Sequence, residues 1–228
     1  MRAALLLFGV SGCLIEPDPS FVDPRSDLLI AWSFDDAPVR DDSGNGNELA
    51  LEGAMIDGEL ARFDGDDDIG LGPDLQDLVP GLAAITLEAR VRITDTTDDF
   101  MSRPILFVPQ TSSTGTYGLG LVVNTAAQRL QFELVAGDVH EELYRDQLYE
   151  SDWVTVHGVY DGAQAQLYVD GEAPLDPIAV AGGLDANDFD YGEQIVTVAG
   201  RGSGGDNLGC ELASIRVWTR ALSAEEVA

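Results

Sequence analysis

The stretch from Trp153 to Gly171, WVTVHGVYDGAQAQLYVDG, places tight limits on the backbone. Two runs rich in β-branched and aromatic residues, 153–160 and 164–169, are divided by Asp161-Gly162 and closed by Asp170-Gly171. Asp-Gly between such runs is a hairpin signal, because glycine accepts the positive φ of a tight turn. Residues 86–93 (TLEARVRI) alternate strictly: Leu87, Ala89, Val91 and Ile93 face one way, Glu88, Arg90 and Arg92 the other. That period of two is the mark of a half-buried strand.

Further strands are predicted at 28–34, 49–51, 60–63, 105–108, 117–123, 130–135, 195–199 and 212–218, with Asp57-Gly58 and Asp64-Gly65 as turns. Residues 141–142 read as part of an irregular acidic stretch. No helical period of useful length precedes Ser223, where Ser223 and Glu226 form the S-x-x-E pattern of a capping box. The expected architecture is all-β: an antiparallel β-sandwich (jelly roll) of two packed sheets over residues 28–222, with 223–228 starting a short C-terminal helix.

Charge narrows the partners. Asp and Glu number 41 against 12 cations, all of them Arg, for a formal net charge of -29. Such a surface repels phosphate backbones, so nucleic acid is not an expected partner. It attracts cations instead. Specific calcium sites and a solvated acidic coat suited to salty surroundings are the two competing explanations.

The first residues read as an address. Arg2 supplies a positive start, and Ala3 to Val10 is an apolar run too short to span a bilayer as a helix. Val10-Ser11-Gly12-Cys13 resembles the lipobox of bacterial lipoproteins, which implies a signal peptide over 1–12 and an acylated Cys13. The Pro- and Asp-rich segment 13–27 is then a tether. The expectation is an exported, membrane-anchored lipoprotein at the outer membrane or cell surface. Cys210 is left without a pairing partner and is expected to be a small buried hydrophobe.

Several segments, in order, resemble the laminin G-like (concanavalin A-like lectin/glucanase) family. They are AWSFD at 31–35, DDSGNGN at 41–47, ARFDG at 61–65, the strand at 86–91, WVTVHGVYDG at 153–162, LYVDG at 167–171 and IRVWTRALSAEE at 215–226. Departures are Arg90 where the family usually has Trp, His157 where it usually has Ala, and Ala213-Ser214 in place of an acidic pair. The resemblance implies one calcium ion at the sandwich rim, with Asp35, Asp41, Asn45 and Asp64 as candidate ligands, and Asp66 to Asp68 as a second cluster. Turn chemistry alone also accounts for these residues.

The resemblance further implies a non-catalytic surface module for a glycan, with a protein-binding adhesion module or a structural surface lipoprotein as the alternative. Tyr117, Tyr144, Tyr149, Tyr191 and Phe100 are candidates for stacking on a sugar ring, whereas Trp32, Trp153 and Trp218 are expected in the core. Glycoside hydrolases share this fold, but the E-x-D-x-x-E strand that marks one group of them is absent here. His157 is expected to be a satisfied structural histidine. No ligand-binding residue is named by the sequence.

Overall fold

The computed structural model describes residues 27–74, 82–96, 102–112, 115–136, 139–173, 175–180, 182–184, 195–201 and 206–228. In chain order the strands are β1 (Leu28–Ser33), β2 (Ala50–Glu52), β3 (Met55–Ile56), β4 (Ala61–Asp64), β5 (Ile69–Asp74), β6 (Ile85–Ile93), β7 (Arg103–Ser112) and β8 (Gly115–Asn124). They continue with β9 (Arg129–Ala136), β10 (Val139–Arg145), β11 (Trp153–Tyr160), β12 (Gln164–Val169), β13 (Ile178–Ala179), β14 (Ile195–Val198) and β15 (Gly209–Trp218), followed by the helix α1 (Ala224–Val227).

These strands form two antiparallel sheets. One runs β13-β12-β11-β6-β15-β4-β3, with β1 also paired to β15. The other runs β10-β9-β8-β7-β14-β5-β2. The long strand β15 explains the branching: its first half pairs with β4 from Gly209 to Leu212, and its second half pairs with β1 from Ser214 to Trp218.

Strand alternation builds the core. Leu87, Ala89, Val91 and Ile93 of β6 are fully buried, and so are Leu130, Phe132 and Leu134 of β9 on the facing sheet. Gly158 of β11 sits against the Phe132 ring, where a Cβ would lie 2.3 Å from Cδ2, so only glycine fits. The Trp32 indole is buried and donates to the carbonyl of Asn47 at 2.6 Å. Cys210 is buried in the core, and burial pushes its thiol far above the ordinary range, which makes it inert.

The Asp-Gly hairpin forms between β11 and β12, with Gly162 at φ 94. The Asp161 carboxylate accepts from the amides of Ala163 and Gln164, which fixes the turn. Besides the two-residue strands β3 and β13, two longer strands differ from the sequence reading. Residues 141–142 are not irregular but lie in β10, paired in register with β9. Because β10 is an edge strand, it needs little apolar patterning and can carry charge. Residues 69–74 form β5 despite two glycines, since Gly70 and Gly72 bring its backbone close to Leu49 and Trp32.

Candidate functional site: the outer face of the β6 sheet

The residues that β6 turns away from the core meet matching residues on its neighbours. Register places four rows across this outer face. Arg62, Glu211, Arg92 and Trp153 form one row, and Ser33, Ser214, Arg90 and Thr155 the next. Ala31, Arg216, Glu88, His157 and Tyr168 form the third. The fourth holds Leu28, Trp218, Thr86, Val159 and Gln166.

The fourth row is capped. Val159, Trp218, Leu222 and Val227 form a small apolar cluster of their own, outside the main core. The segment after β15 folds over it and ends in α1. Ser223 accepts from the Glu226 amide while the Glu226 carboxylate accepts from the Ser223 amide, so the capping box read from the sequence is formed. Arg220 grips the same carboxylate with two bonds of 2.7 and 2.9 Å. That guanidinium, with the Ser223 amide, holds the Glu226 carboxyl down to about 2.

The second and third rows stay open. Two depressions of about 460 and 500 Å³ lie side by side over them and share Glu88, Arg216 and Glu226, and the first also reaches Leu28 and Trp218 of the fourth row. Asp42 stands at one end and Asp170 at the other, both exposed. At the floor, Glu88 bridges two partners: Oε2 lies 3.1 Å from His157 Nε2, and Oε1 accepts from Arg216 Nη1. Burial would raise the Glu88 carboxyl, but the His157 hydrogen bond and the Arg216 charge outweigh it and hold the group below its ordinary value. His157 is buried, and its Nδ1 has no hydrogen-bond partner among the described residues. Its Nε2 contact with Glu88 ties it into the sheet.

Next to this floor, Arg90 donates to the Thr155 hydroxyl at 3.0 Å and lies 3.5 Å from the Asp170 carboxylate. Trp153 is half-buried on the same face, with the guanidiniums of Arg90 and Arg92 at 5.8 and 5.2 Å from its ring centroid. The placement corrects the expectation of a core tryptophan: Val154, Val156, Gly158 and Tyr160 are the inward residues of β11, so parity turns Trp153 outward. Trp218 is buried in the capped cluster rather than the main core, and Trp32 alone of the three is in the core itself.

Of the candidate calcium ligands, Asp41 and Asn45 share one loop, where both bond the Ser43 hydroxyl. Asp41 uses both carboxylate oxygens inside its loop, accepting from the amides of Ala31, Ser43 and Asn47 and from the Ser43 hydroxyl. Those bonds outweigh burial and hold its carboxyl below the ordinary value. Asn45 donates to the carbonyls of Leu28 and Leu29, and Asp35 is exposed. Asp64 lies elsewhere: its carboxylate, with those of Asp67 and Asp68, makes a group whose oxygens are within 4.8 Å of one another. Asp68 is buried, and that burial, with the neighbouring acids, raises its carboxyl.

Of the stacking candidates, Tyr144 lies under Arg129 at 4.1 Å and Tyr149 under Arg145 at 5.4 Å. Tyr117 is on β8. Phe100, Tyr191, Cys13 and the segment 1–26 lie outside the described residues. On the opposite sheet, Glu133 is buried and faces Glu142 across the β9–β10 pair. Burial raises its carboxyl even with Arg201 3.6 Å away.

A two-sheet antiparallel sandwich of this order defines a jelly roll of the lectin and glucanase type. Residues 63–228 match the family model of the concanavalin A-like lectin/glucanases superfamily, and the chain belongs to that superfamily. A comparison with curated protein sequences gave no match.

Among solved structures, the ligand binding domain of botulinum neurotoxin serotype D in complex with N-acetylneuraminic acid is similar at a TM-score of 0.67 and 13% identity, covering 89% of this chain and 50% of that one. A botulinum neurotoxin type C structure, whose cell entry depends on interaction with two ganglioside molecules, gives 0.69 and 13% over the same shares. Trypanosoma rangeli sialidase gives 0.63 and 15%, covering 89% of this chain and 32% of that one. The likeness is one of fold, and this chain spans about half the length of the toxin structures.

Proposed function

We propose that the protein is a non-catalytic surface module that binds a glycan in the groove over Glu88, His157 and Arg216. The observation that carries this reading is the interleaving of hydrogen-bond acceptors and donors along that groove. Asp42, Glu88 and Asp170 accept, whereas Arg90, Arg216 and Ser214 donate. A sugar ring presents hydroxyls that both donate and accept, so it matches such a lining. The toxin domains of like fold, one solved with N-acetylneuraminic acid and one tied to gangliosides, support the class of ligand.

Two features favour binding over hydrolysis and over a protein partner. A glycosidase acid needs a carboxyl raised toward neutrality, yet Glu88 and Glu226 in this groove are both lowered. The large exposed hydrophobics among the described residues, Met55 and Leu175, lie toward opposite edges of the β6 sheet and form no apolar patch. A glycan array probed with the full chain and with Arg216→Ala tests the reading. It predicts a discrete set of bound glycans that is lost in the variant; binding unchanged in the variant would contradict it.

The proposal includes lipid anchoring at Cys13, supported by the lipobox-like residues 10–13. Cys13→Ser is expected to move the protein from the membrane fraction to the soluble one. It also includes one calcium ion, held by Asp64, Asp67 and Asp68 rather than by the Asp41 loop, since hard carboxylate oxygens are grouped there. A calcium-dependent rise in melting temperature, absent with sodium chloride at matched ionic strength and absent in Asp67→Asn, is the expected outcome.

A further inference from the structure

We infer that this groove selects glycans carrying no negative charge, whether neutral or amine-bearing, and rejects sialylated and other acidic ones. The inference rests on the glycan reading above and names its ligand class. Four carboxylates border the two depressions, those of Asp42, Glu88, Asp170 and Glu226, against the guanidiniums of Arg90 and Arg216. Both guanidiniums already face carboxylates of the groove. Arg216 is bonded to Glu88, and Arg90 is held by Thr155 and Asp170. The Glu226 carboxylate is neutralised from outside the groove by Arg220.

An incoming carboxylate would share the Arg216 guanidinium with Glu88, bringing two like charges onto one cation. Glu88 is only 8% exposed, so its charge is poorly screened from a second carboxylate placed there. The alternative is to settle near Asp42 or Asp170, both exposed and of like charge. The net charge of -29 adds a long-range repulsion of anions before contact is made. Hydroxyls face none of these penalties, because they donate to the carboxylates and accept from the guanidiniums without displacing either. An ammonium, with three donors and no acceptor, suits the carboxylate-rich ends. The shared fold with a structure solved with N-acetylneuraminic acid thus does not carry that sugar over to this groove.

The test uses the full chain against matched oligosaccharides: a lactose-terminated glycan, the same glycan sialylated, and chitosan-type oligomers with free amines. Titration at 0.15 M salt is expected to favour the uncharged over the sialylated glycan by at least about tenfold, since like charges brought together in a binding site are strongly unfavourable. Asp170→Asn keeps the acceptor for the Thr155 amide and the left-handed backbone at φ 50, while releasing Arg90. It is expected to shrink that preference about threefold or more. Sialylated glycan bound as tightly as its uncharged match would overturn the inference while leaving the glycan reading intact. So would a preference that vanishes in 1 M salt and is indifferent to Asp170→Asn, because the whole-protein field would then be the selector. No binding to any of the three classes would instead defeat the glycan reading itself.

Discussion

The two faces of the β6 sheet are built from the same strands, yet they obey different rules. On the inner face, Leu87, Ala89 and Val91 of β6 and Val154 and Val156 of β11 are sealed against the other sheet, and position 158 has no room even for a Cβ. On the outer face, alternate residues of those strands are Glu88, Arg90, Thr155 and His157, tied by ion pairs and hydrogen bonds and open to a groove. The inner face is held by volume and tolerates little. The outer face is held by charge pairing and can exchange partners with a ligand. The capped row beyond it, with Val159 and Trp218 under Leu222 and Val227, leaves the charged rows as the accessible part.

The sharpest contrast should come from Phe132→Ala, which empties the space that Gly158 makes for the ring; a loss of about 3–5 kcal/mol in urea unfolding is expected. Glu88→Ala strikes the outer face. It removes the acceptor shared by His157 and Arg216, and a smaller loss of about 1–3 kcal/mol should accompany loss of glycan binding. Equal destabilisation by the two would erase the distinction between the faces.

Ser223→Ala should cost about 1 kcal/mol by removing the cap of α1. The Glu226 carboxyl is depressed in the fold, so its contribution is present above its ordinary value of about 4.5 and lost as pH falls toward about 2. Acid titration of stability should therefore show Glu226→Gln and the parent chain converging over that window. A gap that persists at pH 2 would mean that the Arg220–Glu226 pair is not the source.

Sequence alternation was enough to read the core. Ile93 and Leu87 could be assigned inward from TLEARVRI alone, and Asp161-Gly162 gave the hairpin. The edge strand β10 escaped because Leu143 is the one buried side chain among its described residues, and β5 because its glycines serve close packing rather than a turn. The site was hidden for a different reason. Glu88, His157 and Arg216 are separated by 69 and 128 residues, and only strand register sets them side by side. Parity could have placed Trp153 and His157 on one outer face, since both are out of phase with Val154 and Val156. The Asp41 loop and the Asp64 turn look alike as sequence. Carboxylates in both accept amides of their own turn, and only the fold shows that three of them are grouped at Asp64, Asp67 and Asp68.

The central claim is that the ligand sits on the outer face of the β6 sheet. The direct measurement is an NMR titration of the protein with an array-positive uncharged glycan, following the Trp153 indole, the His157 ring and the Arg216 side chain. The account predicts saturable shifts at these groups, with the same dissociation constant as binding itself. Shifts confined instead to the opposite sheet, around Glu133 and Glu142 of β9 and β10, would contradict it.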